Sequence, residues 1–438
     1  MGRTDKTDAL YVFERNMDVD VETGLLISVP GCAVNRLPYP VRKGDKIRPA
    51  AGGIRLKVFF YLPEIPDELI HTYTYQPESN WTTYCPECSN HEWSEAEHTI
   101  CEDGFIRVAA APPGESPAWA DTVFVEKAEP APSPIPDWMA KETEDLCRRV
   151  EAGRQSGDLV LLLLADTHNA VGCTWPDTLQ SLRLTADRLH PDAAVHLGDL
   201  TDGLLPTYYT RLLTDLVLEE LRGVCGQLWC CVGNHDRNRF RGNPKGISRE
   251  ECAERILRQK APWYKVKLPE KKLMLLFLDS FDPDEKERYG FSAEEVRWVR
   301  RTLRFVPRGY RVLIFSHVPP LAEIHVWSDT IRNEKRMLRC VQRFHARRNG
   351  AVLAWIHGHS HADQVYEKLP FPVIGIGCAK LEDFREHKPE GSVTWERIRG
   401  TASQELWDVL LIHAGEGSLD FFRFGAGQDR HVSRKKNP

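Results

Sequence analysis

Five short polar blocks hold most of the residues in this 438-residue chain whose types and spacing could do chemistry. They are Asp166-Thr167-His168, Gly198-Asp199, Gly233-Asn234-His235-Asp236, His317 and Gly358-His359-Ser360-His361. Each follows at once on an apolar run: LVLLLLA (159–165), AAVHLG (193–198), LWCCVG (228–233), VLIFSH (312–317) and AVLAWIHG (351–358). Runs without polar alternation are the pattern of strands buried on both faces. Ligand sites in open α/β sheets lie at the carboxyl ends of the strands. Five strands are therefore expected to bring five of the sixteen histidines to one rim of one sheet. Side chains two apart in an extended segment face the same way, so Asp166 with His168, and His359 with His361, can each reach a shared centre. Glycines 198, 233 and 358 stand where a strand must turn sharply and the backbone must approach an ion or substrate. Carboxylate, imidazole and amide oxygen together suit Mn, Fe or Zn better than Ca or Mg. The donors are too many for one tetrahedral ion.

These five blocks, in this order, resemble the calcineurin-like metallophosphoesterase superfamily, whose pattern is D-x-H, GD, GNH-D/E, H and GHxH. The resemblance spans about Leu159 to Gly425 and implies a four-layer α/β (α+β) fold of two stacked mixed sheets flanked by helices. It implies that Asp166, His168 and His361 hold a first metal, that Asn234, His317 and His359 hold a second, and that Asp199 bridges both. It implies that His235 meets the leaving group or the transferring phosphate, with Asp236 as its orienting partner. The expected activity is hydrolysis of a phosphomonoester or phosphodiester by a hydroxide bridging two cations ~3.5–4 Å apart. The strings GNHD, GDLTDG and HVPP resemble the phosphodiesterase and purple-phosphatase-like branches more than the protein phosphatases. The competing expectation is a binding or structural component that uses the fold as a scaffold. The presence of all seven ligands argues for retained chemistry. A lone Asp166 or His317 at a strand end would more often be a solvated loop residue, and it is the co-ordered set that reverses this.

Weaker signals surround this set. Arg237, Arg239, Arg241 and Lys245 follow GNHD at once, and Arg237 is the candidate for a substrate phosphate contact. A solvated basic loop is the commoner outcome for the others. His325, eight residues beyond His317, has two readings, a residue lining the substrate pocket and, the commoner outcome, an exposed loop histidine, and His196 and His357 are read as structural because alternation points them away from the ligand set. Nearer the N-terminus, Cys85-Pro86-Glu87-Cys88 and His98-Thr99-Ile100-Cys101 have the ligand types and spacing of a small Cys3His structural zinc site. The other cysteines lie in apolar or helical stretches and read as reduced, buried small hydrophobes of a cytosolic protein.

The elements that must position these residues fall into two regions. Short strand-like pieces (Leu25–Val29, Ile54–Tyr61, Phe105–Ala110, Thr122–Val125) indicate a small antiparallel β-sandwich-like domain over 1–128. EPAPSPIP (129–136) places four prolines in eight residues, so 129–138 is expected to be a stiff linker. Residues 139–425 form the expected α/β domain, with helices at 178–189, 207–221, 292–303 and 332–348, the third opened by a capping box of Ser292 and Glu295. The polar, basic tail 426–438 is expected to fray. ETGLL (22–26), PVRKGDKI (40–47), VFFY (58–61) and CEDGFIRVAA (101–110) resemble β-sandwich modules of bacteriophage tail and bacterial surface proteins. That implies docking to a carbohydrate, a partner protein or a second subunit, and a phage or prophage association; the equal alternative is a structural appendage that covers one side of the catalytic domain. The formal net charge of -5 makes sequence-independent nucleic-acid binding unlikely as the main role but leaves room for a localised basic patch. No apolar run approaches the ~20 residues that span a bilayer, and a cytoplasmic protein acting on a small phosphate ester is expected.

Overall fold

The computed structural model describes residues 7–9, 13–35, 38–63, 82–111, 123–126, 128, 134–169, 173–203, 207–238, 246–281, 288–325, 327–381 and 388–433. The chain forms two compact units, Met1–Pro134 and Ile135–Pro438.

In the first unit, strands β1 (Thr7–Ala9), β5 (Lys46–Pro49), β8 (His98–Thr99) and β10 (Val123–Glu126) form one sheet. Strands β2 (Phe13–Val19), β3 (Leu26–Asn35), β4 (Tyr39–Val41), β6 (Arg55–Pro63), β7 (Thr82–Ser94) and β9 (Gly104–Ala111) form the other. Every pairing in both sheets is antiparallel. Ile47, Val123 and Val125 from the first sheet pack with Val58, Phe60, Ile106 and Val108 from the second, which makes the unit a sandwich around one apolar core.

The second unit is built in four layers. One six-stranded sheet runs β13 (Leu228–Cys230), β12 (Ala193–His196), β11 (Leu159–Leu164), β20 (Leu406–His413), β21 (Ser418–Gly425), β22 (Arg430–Ser433). The other runs β14 (Tyr264–Leu268), β15 (Leu273–Leu278), β16 (Arg311–Ser316), β17 (Val352–His357), β19 (Val373–Gly375), β18 (Gln364–Tyr366). Each mixes parallel and antiparallel neighbours. The unbroken apolar runs are explained by two-sided burial. On β11, Leu159, Leu161 and Leu163 face the other sheet, where they meet Leu275, Phe277 and Phe315. Val160, Leu162 and Leu164 face helices α1 (Asp137–Gly153), α2 (Trp175–Leu189) and α3 (Thr207–Cys225). On β15, Met274, Leu276 and Leu278 face outward against α5 (Ala293–Arg304) and α6 (Glu334–Arg347). A one-turn helix α4 (Arg249–Cys252) completes the six α-helices of the described residues.

Two details depart from expectation. Ser292 caps α5 by accepting the Glu295 N–H at 2.9 Å, but the Glu295 carboxylate does not return to the cap. It accepts the Asp279 N–H at 2.8 Å instead, tying the helix start to the end of β15. The tail does not fray over 430–433, where β22 adds to the sheet beside β21. Its anchor is Arg430, whose guanidinium reaches Asp363 at 3.0 Å and Asp408 at 2.7 Å.

Glu405 is buried just before β20, and its carboxyl is pushed up to about 7 by burial. The folded protein therefore keeps this proton over a range in which the unfolded chain, near the ordinary 4.5, releases it. Its contribution to stability is fully present below about pH 4.5 and is lost as pH rises through about 7. Glu405→Gln should flatten that slope by on the order of 2 kcal/mol, read as urea midpoints of the two proteins at pH 5 and pH 8.

Candidate metal centre

All five polar blocks sit at carboxyl ends of parallel strands, but of two sheets rather than one. Asp166, His168, Asp199 and Asn234 follow β11, β12 and β13, while His317, His359 and His361 follow β16 and β17. Apolar runs alike in composition do not reveal which sheet each joins. The site lies across the rims of both layers.

The backbone there is held in an uncommon conformation. Asp166, His168, Asp199, His359 and His361 all have positive φ, between 42° and 66°. Non-glycine residues adopt this region at a cost, and such residues cluster at functional sites. The preceding glycines have a steric cause other than approach to an ion. A Cβ on Gly233 would lie 2.0 Å from Asp199 Oδ1, and one on Gly358 would lie 2.6 Å from Asp166 Oδ2. The strand ends press on the carboxylates themselves.

The donor atoms fall into adjoining sets. Asp166, His168 and His361 bring one ligand atom each within 4.8 Å of one another, and so do Asp199, His317 and His359. In the first set His168 Nε2 and His361 Nε2 face each other at 3.1 Å, with Asp166 Oδ1 3.5 Å from His361 Nε2. In the second, His317 Nε2 lies 3.2 Å from Asp199 Oδ2, 3.1 Å from Asn234 Oδ1 and 3.2 Å from His359 Nδ1. Asp199 Oδ2 is also 3.7 Å from His168 Nε2, so this carboxylate stands between the sets.

The surrounding hydrogen bonds turn the donor atoms of His317 and Asp199 toward the centre. His317 donates Nδ1–H to the Leu197 carbonyl at 2.9 Å, which turns Nε2 inward. Asp199 Oδ1 accepts the His235 N–H at 2.7 Å and leaves Oδ2 to the centre. Burial opposes a charge on His317, yet Asp199 and then Asp166 outweigh it and hold the imidazole up at about 9. Two buried carboxylates that retain positive charge against the cost of burial meet the electrostatic requirement of a cation site. The donor chemistry fits metal ions.

His235 lies beside this centre, its ring 4.4 Å from that of His168 in an edge contact. Its Nδ1 is 2.5 Å from the Asp202 carbonyl, so Nδ1 carries the proton, and Nε2 lies 3.9 Å from Asp199 Oδ2. Burial pushes the ring down to about 3, toward the neutral form. Asp236 is not its orienting partner. The Asp236 carboxylate accepts three backbone N–H groups, from Gly233 at 2.7 Å, Leu200 at 2.7 Å and Asp199 at 3.0 Å. It locks the GD and GN turns together. Asp202 lies against both histidines instead: its carbonyl holds His235 Nδ1, and its Oδ1 is 3.4 Å from His168 Nδ1 and 3.2 Å from Lys380 Nζ. The GDLTDG string contained Asp202, but nothing local to it marked a partner 178 residues away.

His325 is buried, 8% exposed, rather than lying on an exposed loop. Its ring is 4.9 Å from His359 and 4.5 Å from Tyr289. Arg237 is likewise buried, its guanidinium 6.0 Å over the Phe281 ring, and Phe281 flanks His317 at 6.3 Å. Arg239, Arg241 and Lys245 lie outside the described residues. His196 and His357 are spent structurally: His196 Nδ1 accepts the Gly198 N–H at 3.1 Å, and His357 Nδ1–H donates to the Gly358 carbonyl at 2.9 Å.

In the first unit, Cys85 and Cys88 occupy an extra loop of β7, where Cys85 and Asn90 pair with Phe60 and Val58 of β6. Ser89 staples its neck, accepting the Phe60 N–H at 2.9 Å and donating to the Cys85 carbonyl at 2.7 Å. The Cys88 thiol interacts with those of Cys85 and Cys101, which together with burial pushes it up to about 12. His98 is half-buried in β8, and the four do not form a mutually close donor set among the described residues.

Residues 159–363 match the sequence model of the family described as calcineurin-like phosphoesterase. Among solved structures, the chain is similar to a dimetal phosphatase from Danio rerio, at 16% identity over 63% of this chain and 99% of that one, with a TM-score of 0.45. It is similar to Yfce, a phosphoesterase from E. coli, at 14% identity over 63% and 100%, with a TM-score of 0.30. GAP50, the anchor in the inner membrane complex of Plasmodium, is 11% identical over 64% and 90%, with a TM-score of 0.40. No curated protein matches the chain significantly. No helix among the described residues is long and apolar enough to cross a membrane.

Proposed function

We propose that this chain, whose residues 159–363 belong to the calcineurin-like phosphoesterases, hydrolyses a small phosphomonoester or phosphodiester using two metal ions drawn from Mn, Fe and Zn. The observation that carries this reading is the convergence of donor atoms from Asp166, His168 and His361 and from Asn234, His317 and His359 on either side of Asp199 Oδ2. Bound ions supply Lewis acidity to the phosphoryl oxygens and a water of lowered pKa.

The remaining steps belong to the protein's own groups. His235 presents Nε2 at the edge of the centre, with Nδ1–H committed to the Asp202 carbonyl. A proton held at Nε2 passes to the departing ester oxygen, and the anionic substrate offsets the burial that otherwise favours the neutral ring. His325 acts on the same substrate from the side of His359. Its Nδ1 accepts the Trp327 N–H at 3.0 Å, so Nε2 carries the hydrogen, and that buried Nε2–H has no partner among the described residues. A phosphoryl oxygen satisfies it. Tyr289 and Phe281 line the apolar side of the same space and exclude water.

Two experiments test this reading. Hydrolysis of p-nitrophenyl and bis-p-nitrophenyl phosphates after reconstitution with manganese separates monoesterase from diesterase, and no turnover of either leaves a scaffold role. His325→Phe should raise KM about tenfold or more with unchanged metal content, the cost of one hydrogen bond to a charged group. An unchanged KM would remove His325 from the substrate site.

The approach of the Cys88 thiol to those of Cys85 and Cys101 supports a second, structural reading in the first unit: a zinc staple on these thiols, for which His98 would have to move to become the fourth ligand. One zinc per chain retained in Asp199→Ala and lost in Cys88→Ser is its expected mark.

A further inference from the structure

The net charge of -5 conceals a concentrated basic face. On α5, Arg297, Arg300, Arg301 and Arg304 are all exposed. On α6, Arg336, Arg339, Arg343 and Arg347 are exposed at steps of three and four, a stripe about 16 Å long at 1.5 Å per residue. The two helices pack side by side, and Arg300 and Arg343 both act on Cys340 between them. None of these eight arginines makes an ion pair among the described residues. The acidic groups of the same helices are occupied: Glu295 is buried on the Asp279 N–H, and Glu334 accepts the Ala322 N–H at 3.2 Å. Glu294 is the one fully exposed carboxylate on either helix.

Ordinary helix design does not account for this. Arg297 with Arg301, Arg300 with Arg304, Arg339 with Arg343 and Arg343 with Arg347 are like charges four apart, an arrangement that weakens a helix. At the end of the stripe is a cavity of about 530 Å³ lined by Arg308, Arg311, Arg347, Arg348, Tyr310 and Asn349, with no acidic residue in its wall. Beside it Phe305 is 72% exposed, with the Arg304 guanidinium 5.8 Å over its ring. Arginine forks match phosphate oxygens, and exposed aromatic rings stack on bases. An anionic membrane fits less well. The apolar faces of both helices, including Val299, Leu303, Met337 and Val341, are committed to the core and cannot enter a bilayer. The cavity lies at the start of β16, which opens at Arg311, whereas the metal centre lies at the other end of that strand, after Ser316.

We propose that the outer face of α5 and α6, with the arginine-lined cavity at its end, binds single-stranded nucleic acid through its phosphate backbone, apart from the metal centre. The test is fluorescence anisotropy of labelled 20-nucleotide oligo-dT and oligo-rU with the full chain, at 50 and 200 mM salt. Binding is expected to weaken about 50-fold over that range if four phosphates are neutralised. Arg304→Gln/Arg308→Gln/Arg339→Gln/Arg343→Gln should weaken it at least tenfold at 50 mM, and Asp199→Ala should leave it unchanged. If the fourfold variant does not fold, Arg339→Gln/Arg343→Gln alone should still weaken binding severalfold. No binding at 50 mM salt, or binding untouched by these substitutions, overturns the proposal. Tighter association with phosphatidylserine vesicles than with either oligonucleotide also overturns it, in favour of a membrane surface.

Discussion

Replacing Asp199 by alanine should reduce hydrolysis of the preferred p-nitrophenyl ester by on the order of a thousandfold or more, while the protein stays folded. Asp199 Oδ2 faces donors of both sets, 3.2 Å from His317 Nε2 and 3.7 Å from His168 Nε2. Loss of a shared ligand removes several kcal/mol of stabilisation from the developing charge, and each 1.36 kcal/mol is a factor of ten in rate. The same substitution also frees the His235 N–H that Oδ1 holds, so the turn carrying Asn234 and His235 loosens. Both effects lower kcat more than they raise KM. A steady-state comparison at saturating manganese checks this, and a variant within tenfold of the parent would mean that the chemistry lies elsewhere.

The second large effect is on stability. Arg423 is 2% exposed, with Nε 2.9 Å from Asp408 Oδ1 and its terminal nitrogens 2.8 and 2.9 Å from the two oxygens of Asp363. Arg430 closes the cluster from the edge strand. Arg423→Met leaves two buried carboxylates sharing one remaining guanidinium, and breaking a buried pair in this way costs about 3–5 kcal/mol. The urea midpoint of the second unit should fall accordingly. Arg423→Met/Asp408→Leu should recover part of the loss, because the uncompensated charge rather than the missing contact carries most of the cost. A midpoint unchanged in the single variant would show that Arg430 alone suffices.

The strands and the donor blocks were legible in the sequence for one physical reason. A strand buried on both faces needs an unbroken apolar run, as in Leu159–Leu164, and a polar block at its end stands out against that background. Which sheet each strand joins was not legible, since the runs that became β11 and β16 have the same texture and differ only in their partners. The partner of Asp236 was misread for a similar reason. Proximity in sequence suggested that Asp236 serves His235, whereas the fold turns its carboxylate to the backbone of Gly233, Asp199 and Leu200. His325 shows the limit of loop arguments. Its segment, LAEIHVW (321–327), reads as a loop because it follows Pro319 and Pro320, yet five of its seven residues are apolar and rings from two other loops, Tyr289 and His359, pack against the histidine. Arg430–Ser433 looks like a tail in composition and becomes a strand because Asp363 and Asp408 give its arginine a buried partner. The basic face was averaged away in the net charge, and only the packing of α5 beside α6 places the two arginine stripes on one surface.

The central claim is that the seven donors hold two ions around one shared carboxylate. Anomalous scattering from crystals grown with manganese tests it directly. The account predicts two peaks ~3.5–4 Å apart, one beside Asp166, His168 and His361, the other beside Asn234, His317 and His359, with Asp199 Oδ2 between them. A single peak, or none at these residues while the crystals bind manganese elsewhere, would contradict it.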